Sequence, residues 1–310
     1  MHTAFLLAAG FGTRLRPLTE HRPKPLMPMC GSPMLDYTLA LLRTHGHDNI
    51  LVNAHHLWEQ VAAWCEKNSL GLQVELPDIL GTGGGLKAAQ ARLAEQFVVV
   101  NADILCDVNL TALTRDIPVD GAAMALRKSP DWEAVGPVLA DESGRVVKIT
   151  SLVGQGGRPG THFTGVHALS SASLGRVPEG FQCIVRTAYI ELIEAGLVGG
   201  HLHTGTWVDV GTPEAYLEAN LALLDNRIAV PFDPWSRGNR DADGNFMGSE
   251  VQLDGESHHS VLGARAVVSS GAVLRDCVVW DGAVVPAGEY HRCIFYDEGG
   301  ILSIPAASPS

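Results

Sequence analysis

Two glycines, Arg14 and Lys24 lie close together near the start of the chain, in the stretch LLAAGFGTRLRPLTEHRPKPL (6–26). Gly10 and Gly12 permit backbone conformations that other residues avoid, so one interpretation is a core strand followed by a tight turn. The other interpretation is a phosphate cradle, in which small residues expose backbone N–H groups and Arg14 and Lys24 supply positive charge. The spacing therefore allows chemistry on a phosphate group.

Known phosphate and metal fingerprints do not fit the chain. The segment Gly10–Phe11–Gly12 lacks the third glycine of the dinucleotide-binding fingerprint, and the sequence holds no Gly-Lys-Ser or Gly-Lys-Thr of a P-loop. The thirteen histidines show no zinc-type spacing such as HExxH. The pairs His55–His56 and His258–His259 are typical of surface or core positions. These observations argue against NAD-type, P-loop and zinc enzymes.

Two further stretches hold residues that could do chemistry. The segment LGTGGGLKAA (80–89) is either a flexible glycine-rich loop that caps a helix or a nucleotide-binding turn. Asp103 ends the apolar run FVVVNAD, and Asp209 lies in WVDVGT. A carboxylate in such a position either caps the next turn or holds a hard cation such as Mg²⁺.

Strand and helix patterns alternate through residues 1–225 and would position these side chains. The apolar strand patterns are FLLAAG, NILVN, QVEL and FVVVNAD, and the helical patterns are MLDYTLALLRTHG, LWEQVAAWCEK, GGLKAAQARLAEQ, TAYIELIEAG and PEAYLEANLALLDNR. This alternation predicts an α/β fold with a doubly wound, mostly parallel sheet covered by helices on both faces. Ligands of such sheets bind at the carboxyl ends of the strands, where GFGTR and Asp103 lie.

The composition of the chain changes near residue 227. Residues 231–250 are rich in Pro, Gly, Asp and Asn and lack periodicity, which indicates a linker or an irregular connection. Valines then recur every six residues, at Val261, Val267, Val273, Val279 and Val285. A six-residue period is the signature of a parallel β-helix, here a short left-handed one, and we expect each of these valines to point into its interior.

Bulk composition narrows the class of protein. The 310 residues are 46% hydrophobic and 18% charged, which suits a packed globular protein with one large and one small domain. A formal charge of −12 argues against a general binder of nucleic acid or anionic membrane. Six scattered cysteines without a CxxC pair indicate reduced thiols, and the run AFLLAA is too short for a membrane span and lacks the basic residues of a signal peptide. We therefore expect a cytoplasmic protein.

The stretches LAAGFGTRLRPLT and RPKPL together resemble the signature of the sugar-1-phosphate nucleotidyltransferases, also called NDP-sugar pyrophosphorylases, and the resemblance extends to about residue 225. These enzymes join an NTP to a sugar 1-phosphate and release an NDP-sugar and pyrophosphate. The Thr-Gly-Gly-Gly of residues 82–85 is most similar to that of the MurNAc-1-phosphate uridylyltransferases, and mannose- and heptose-phosphate guanylyltransferases have related loops. The resemblance thus implies the reaction and leaves the base and the sugar open.

The resemblance also implies roles for particular residues. Arg14 would hold the β- and γ-phosphates and the departing pyrophosphate, and Lys24 would direct its charge at the α-phosphate. Mg²⁺ would be held by Asp103 and Asp209. The implied nucleotide-binding residues are Ala9, Gly10, Gly12, Thr13, Gly81, Thr82, Gly83, Gly84 and Asn101. The sequence departs from the family pattern at Ala102, where a glycine normally precedes the aspartate.

Two later segments match family positions near the sugar phosphate. Thr164 and Gly165, in HFTGVHALS, correspond to a strand that lies beside the sugar, although an ordinary sheet strand has the same pattern. Arg186 falls where relatives often place a lysine on the sugar phosphate, and an arginine would supply the same charge.

These inferences define a domain plan. We expect a catalytic domain over residues 1–227, a linker over 228–256, a β-helix over 257–300 and a tail over 301–310. The expected role of the β-helix is homo-oligomer formation or regulation, because about two turns are too short to build a coenzyme A site for acyl transfer.

The expected function is transfer of a nucleotide from an NTP to a sugar 1-phosphate for a cell-wall or polysaccharide precursor. Uridylyl transfer to MurNAc 1-phosphate or a similar hexose 1-phosphate is the first candidate, and guanylyl transfer to mannose or heptose 1-phosphate is the second. A non-catalytic regulatory protein that binds a sugar nucleotide is the alternative from another class. The expected partners are these small molecules, with neither nucleic acid nor membrane.

Overall fold

The structure is a computed structural model that describes residues 3–128, 137–149 and 160–305. Contacts between residues divide the chain into two compact units. Unit 1 comprises residues 1–10 and 38–207, and unit 2 comprises residues 11–37 and 208–310. The chain therefore passes from unit 1 to unit 2 inside the glycine-rich signature, between Gly10 and Phe11.

The described ranges contain six α-helices and twenty-five strands. The helices are α1 Met34–Thr44, α2 Trp58–Asn68, α3 Gly81–Ala89, α4 Leu110–Arg115, α5 Ala188–Glu194 and α6 Pro213–Leu224. The strands are β1 Thr3–Leu7, β2 Pro28–Met29, β3 Ser32–Pro33, β4 Asn49–Ala54, β5 Gly71–Val74, β6 Gln96–Asn101, β7 Ile104–Cys106, β8 Ala122–Lys128, β9 Pro137–Ala140, β10 Val146–Ile149, β11 Thr161–Ser170, β12 Val198–Leu202, β13 Trp207–Asp209, β14 Gly238–Arg240, β15 Phe246–Gly248, β16 Gln252–Leu253, β17 Glu256–His258, β18 Val261–Leu262, β19 Val267–Val268, β20 Ala272–Arg275, β21 Val278–Val279, β22 Val284–Val285, β23 Gly288–His291, β24 Cys293–Tyr296 and β25 Gly300–Ser303. Residues 306–310 of the expected tail lie outside the described residues.

The main sheet of unit 1 is built around β1. Its strand order is β10-β9-β11-β6-β1-β4-β5, with β8 paired to β11 and β12 paired to β8. Strands β6, β1, β4 and β5 are parallel to one another, and β11 runs antiparallel to β6. The central strands are almost fully buried, which explains continuous apolar runs such as FVVV in β6. The predicted α/β fold with a mostly parallel sheet is confirmed.

The C-terminal part of unit 2 is a parallel β-helix with three faces. One face stacks β15, β18, β21 and β24, the second stacks β16, β19 and β22, and the third stacks β17, β20 and β23. All of these pairs are parallel. The β-helix expected from the six-residue period is thus confirmed.

The prediction that all five valines point into the β-helix interior is wrong for two of them. Val267 and Val273 are only partly buried, whereas the next residues, Val268 and Leu274, are fully buried. The reason is the length of each turn: stacked partners such as Val261 and Val278 lie 15 to 17 residues apart along the chain instead of 18. A shortened turn changes which residue of the next strand faces the interior. Residues spaced strictly six apart therefore do not all point inward.

Replacing Leu274 by aspartate is expected to unfold the β-helix, whereas Val273→Asp on the same strand should have a small effect. A carboxylate at position 274 would lose its hydration without gaining a partner, which costs several kcal/mol. A carboxylate at the partly exposed position 273 would stay hydrated. Thermal unfolding followed by circular dichroism measures both variants. Equal losses of stability would contradict the inward orientation of Leu274.

A second feature of unit 2 is a histidine between two carboxylates. The Nε2 atom of His259 lies 2.8 Å from Oδ1 of Asp225, which follows α6, and its Nδ1 atom lies against Oδ1 of Asp276 in the β-helix. Burial lowers the pKa of His259, but the hydrogen bonds and charges of Asp276 and Asp225 outweigh it and raise the pKa above its ordinary value of 6.5. Arg227 also pairs with Asp225, and His291 also pairs with Asp276.

This cluster predicts a pH-dependent contribution to stability. Because the pKa of His259 is higher in the folded protein, its stabilisation is complete below pH 6.5 and is lost as the pH rises through the raised value. The free energy of unfolding should fall by about 1 kcal/mol or less in His259→Gln at pH 6, since the partly exposed pairs are screened by solvent. That difference should shrink toward pH 9 in chemical denaturation experiments.

The matched control for this prediction is His291→Gln. The side chain of His291 is 61% exposed and faces Asp276, so we expect a smaller effect than in His259→Gln. A loss of stability in His259→Gln that is the same at pH 6 and pH 9 would contradict the prediction.

Two predictions from composition concern the cysteines and membrane-spanning segments. The six cysteines are free thiols, and five of them are buried. Across the described ranges, none of the helices combines the length and the apolar character that crossing a membrane requires.

Candidate active site

The carboxyl ends of three parallel strands meet at one edge of the sheet of unit 1. Leu7, the last residue of β1, lies opposite Asn53 of β4 and Asn101 of β6. The chain then leaves the sheet, and the N–H group of Ala8 donates a 2.7 Å hydrogen bond to Oδ1 of Asn53. The register therefore fixes the start of the glycine-rich signature between two asparagine side chains.

A cavity of about 180 Å³ opens at this edge. Its lining residues, all in unit 1, are Leu7, Ala9, Gly10, Asn53, Glu75, Ile79, Gly81, Thr82, Asn101 and Asp103. Six of these were expected from the sequence to contact a nucleotide or a metal. They are Ala9, Gly10, Gly81, Thr82, Asn101 and Asp103. Ala102, the departure from the family pattern, is 1% exposed and does not line this cavity.

Residues 81–85 of the glycine-rich segment LGTGGG are the first part of a helix and not a flexible loop. Helix α3 begins at Gly81, whose φ of +71° lies in the left-handed region that favours glycine. A Cβ atom at Gly84 would lie 2.0 Å from the carbonyl oxygen of Gly180, and one at Gly83 would lie 2.9 Å from the backbone nitrogen of Ile184. Gly83 and Gly84 thus allow α3 to pack closely against the segment before α5, while Gly81 and Thr82 line the cavity.

A buried carboxylate at the cavity was not anticipated from the sequence. Glu75 is 2% exposed, and its Oε1 atom accepts a 2.7 Å hydrogen bond from Nδ2 of Asn53. Its Oε2 atom accepts a 2.7 Å hydrogen bond from the N–H group of Leu80. Asn53 and Glu75 therefore link the ends of β4 and β5 to the start of α3. The available signal was a polar residue at or next to the end of each strand pattern, because Asn53 ends NILVN and Glu75 precedes the last residue of QVEL.

The sugar-side residues lie on and beyond β11 in unit 1. Thr164 is 1% exposed, its hydroxyl donates to the carbonyl of Ala125, and its own carbonyl accepts from Nε1 of Trp207. A Cβ atom at Gly165, with φ +80°, would lie 2.7 Å from Nδ2 of Asn101, so Gly165 packs directly on a cavity residue. Arg186 is exposed in the segment before α5.

The signature continues in unit 2 as a tight turn. Gly12 has a φ of +63°, and a Cβ atom there would lie 2.9 Å from Cγ2 of Thr19 and 3.2 Å from Cβ of Lys24. The hydroxyl of Thr19 donates a 2.8 Å hydrogen bond to the carbonyl of Gly12. This turn requires a glycine at position 12, exposes Thr13, and holds Lys24 8% exposed.

Two further candidate residues approach each other within unit 2. Nη2 of Arg14 lies 4.0 Å from Oδ2 of Asp209, and the two side chains are 67% and 40% exposed. A Cβ atom at Gly211 would lie 2.9 Å from the guanidinium of Arg14, so the glycine leaves room for that side chain. The contact is long and solvated, which leaves both charges accessible to a ligand.

The described residues do not form a metal site from protein side chains alone. Within residues 3–128, 137–149 and 160–305, no three side chains of His, Cys, Asp or Glu are grouped to hold a metal ion. Asp103 is half-buried at the cavity of unit 1, and Asp209 lies beside Arg14 in unit 2.

Comparisons with known proteins bear on the family of this chain. The family model described as nucleotidyl transferase matches residues 3–151. A mannose-1-phosphate guanylyltransferase of Mycobacterium tuberculosis is 30% identical over 92% of this chain and 81% of its own length. An N-acetylmuramate alpha-1-phosphate uridylyltransferase of Neisseria meningitidis is 31% identical over 67% of this chain and 93% of its own.

Two further comparisons give a relative that matches over part of its length and a solved structure with a similar fold. A UTP–glucose-1-phosphate uridylyltransferase of Synechocystis is 29% identical over 73% of this chain, and the match spans 64% of that relative's length. The crystal structure of HddC from Yersinia pseudotuberculosis complexed with GMP-PN matches with a TM-score of 0.58 at 23% identity, over 71% of this chain and 98% of that one, and this likeness concerns the fold alone. The chain therefore belongs to the nucleotidyl transferase family, which confirms the family and the enzyme class that its N-terminal signature indicated.

Proposed function

We propose that this chain joins an NTP to a sugar 1-phosphate and releases an NDP-sugar and pyrophosphate. The observation that carries this proposal is the cavity in which Gly10, Gly81, Thr82, Asn101 and Asp103 converge at the strand ends. The three relatives named above, each described as a transferase acting on a sugar 1-phosphate, support the same substrate class.

The first candidate for the nucleotide is UTP, with MurNAc 1-phosphate or a similar hexose 1-phosphate as acceptor. It rests on the Thr-Gly-Gly-Gly that begins α3 and on the Neisseria relative, which matches over nearly its whole length. The second candidate is GTP with mannose or heptose 1-phosphate. It is favoured by the Mycobacterium relative, because that match covers 92% of this chain.

In the proposed reaction, an oxygen of the sugar phosphate attacks the α-phosphorus of the NTP in line. The bond between that phosphorus and the bridging oxygen of the β-phosphate breaks, and pyrophosphate leaves with the bonding electron pair. Backbone N–H groups of Gly10 to Thr13 would bind the triphosphate, Arg14 would neutralise the leaving pyrophosphate, and Lys24 would stabilise charge at the α-phosphate. The protein thus acts by positioning and by charge neutralisation.

On the sugar side we propose Gly165 and Arg186 as direct contacts. Thr164 is better suited to a supporting role, because its hydroxyl and its carbonyl are engaged by Ala125 and Trp207. Trp207 is therefore held in place by β11, next to Gly165.

We propose Mg²⁺ as the metal and Asp103 and Asp209 as its protein ligands. The donor chemistry fits, because carboxylate oxygens are hard ligands and Mg²⁺ commonly takes only one or two of them, completing its shell with substrate phosphates and water. The half-buried position of Asp103 beside Gly10 and Asn101 suits a metal site to which the protein and the substrate phosphates both contribute ligands. When bound, the ion would neutralise phosphate charge.

The experiment that tests this function is a screen of four NTPs against a panel of sugar 1-phosphates, with pyrophosphate release and NDP-sugar formation as readouts. Turnover of one pair of substrates supports the proposal and identifies the base and the sugar. Tight binding of a sugar nucleotide without any turnover would favour the non-catalytic alternative. A homo-oligomer through the β-helix stays a prediction, which sedimentation analysis can check.

A further inference from the structure

Arg22 joins the signature loop, defined as residues 11–30, to the β-helix within unit 2. It lies two residues before Lys24, and its Nη2 atom donates a 2.9 Å hydrogen bond to Oδ1 of Asp297, which follows β24. Its Cζ atom lies 4.5 Å from the ring centroid of Trp280, which follows β21. One guanidinium therefore makes an ion pair and a cation–π contact with two residues of the β-helix.

The tryptophan under this guanidinium is itself fixed by a hydrogen-bond relay. Trp280 is 1% exposed, and its Nε1 atom donates a 2.9 Å hydrogen bond to the hydroxyl of Tyr216 on α6. The Tyr216 hydroxyl in turn donates to the carbonyl of Pro28, at the end of the signature loop. The relay thus runs from the β-helix through α6 and back to the loop.

The far end of the loop is fixed in the same way. Oδ1 of Asn220 on α6 accepts a 2.9 Å hydrogen bond from the N–H group of Cys30, and the hydroxyl of Tyr37 donates to the carbonyl of Met29. The loop that carries Arg14 and Lys24 is therefore held near its C-terminal end by α6, and at Arg22 by the β-helix.

The contact at Arg22 is less exposed to solvent than an ordinary surface ion pair. The side chains of Arg22 and Asp297 are only 24% and 27% exposed, so solvent screens them less than it screens an exposed pair. A planar guanidinium can stack on an indole and pair with a carboxylate at once, which a lysine ammonium does less well.

We propose that Arg22 is a positioning residue, through which the β-helix fixes the loop that presents Arg14 and Lys24 to the phosphates. This inference rests on the proposed function for the roles of those two cations. A displacement of about 1 Å in a positioned group can cost about 10²-fold in rate, so a loosened loop would slow the chemical step without removing any group that touches the substrate. The β-helix would then contribute to catalysis within a single chain.

The test compares Arg22→Gln and Asp297→Asn with the control Glu218→Gln. The control weakens a 2.7 Å ion pair between Arg292 of the β-helix and Glu218 of α6 that does not involve the loop. We expect kcat to fall about 10-fold in both test variants with KM within about twofold of wild type, and to be unchanged in the control. Arg22→Lys should recover part of the rate, and combining the two test substitutions should add little to either alone.

Hydrogen exchange supplies a readout that does not depend on activity. Amides of residues 11–27 should exchange faster in Arg22→Gln and Asp297→Asn than in wild type or Glu218→Gln. Wild-type exchange in this segment, or a lowered Tm with unchanged kcat at a temperature where the variant is folded, would overturn the proposal. If the wild-type chain turns over no substrate pair, the proposed function fails, and the exchange rates still decide whether Arg22 holds the loop.

Discussion

Replacement of Arg14 by alanine is expected to lower kcat/KM by about 10²-fold or more while leaving the fold intact. The loss of one preorganised contact to charge that develops in the transition state has this magnitude. The fold should be unaffected because the side chain is 67% exposed and its contact with Asp209, at 4.0 Å, is long. Steady-state kinetics on the substrates identified by the screen, with circular dichroism for the fold, measure both effects.

The matched control for Arg14→Ala is Arg16→Ala. Arg16 is also an exposed cation of the signature loop, two residues further along. We expect its removal to change kcat/KM by less than about threefold, because it is assigned no contact with the phosphates. A folded Arg14→Ala protein with near-normal turnover, or an equal loss in both variants, would show that the loop attracts phosphates only by its overall charge.

The second large effect is expected at the two aspartates. EDTA should abolish turnover and Mg²⁺ should restore it, and Asp103→Asn and Asp209→Asn should each lower kcat/KM by about 10²-fold or more. If both carboxylates serve the same metal-dependent step, the loss in the double variant should be much smaller than the product of the single losses.

Asp107→Asn is the control for the carboxylates. Asp107 is 38% exposed, lies 3.4 Å from Nε2 of His203 and does not line the cavity, so its replacement should leave turnover nearly unchanged. Losses at Asp103 and Asp209 that multiply independently would mean that one of the two is only structural. Activity that resists EDTA would contradict the metal assignment.

Local sequence patterns were sufficient to predict several helices and strands of this chain. Helix α6 begins where Pro213 follows Thr212, and the Thr212 hydroxyl accepts a 3.2 Å hydrogen bond from the N–H group of Ala215. Apolar runs marked the buried strands β1 and β6 in the same direct way. Such signals lie within a few residues of each other, so they can be recognised without knowledge of the fold.

Local patterns were less reliable where packing against distant residues decides which side chain of a strand is buried or whether a segment is helical. The six-residue period predicted the β-helix, but the turn length, and with it the burial of Leu274 in place of Val273, follows from how successive turns stack. The glycines of LGTGGG favoured a loop, yet residues 81–85 begin a helix. Close packing of this helix against residues 180–184 leaves no room for side chains at Gly83 and Gly84, which explains the glycines there.

By itself, then, the sequence determined the family, the α/β order, the existence of the β-helix and the residue types that could act on phosphates. Only the tertiary structure decided which of these residues share a cavity, that Asn53 and Glu75 belong to it, and that Arg22 meets a carboxylate 275 residues further along the chain. The physical reason is that strand register and the docking of the β-helix on α6 create these contacts. Both depend on burial and hydrogen bonding between distant segments, which no local spacing of residues encodes.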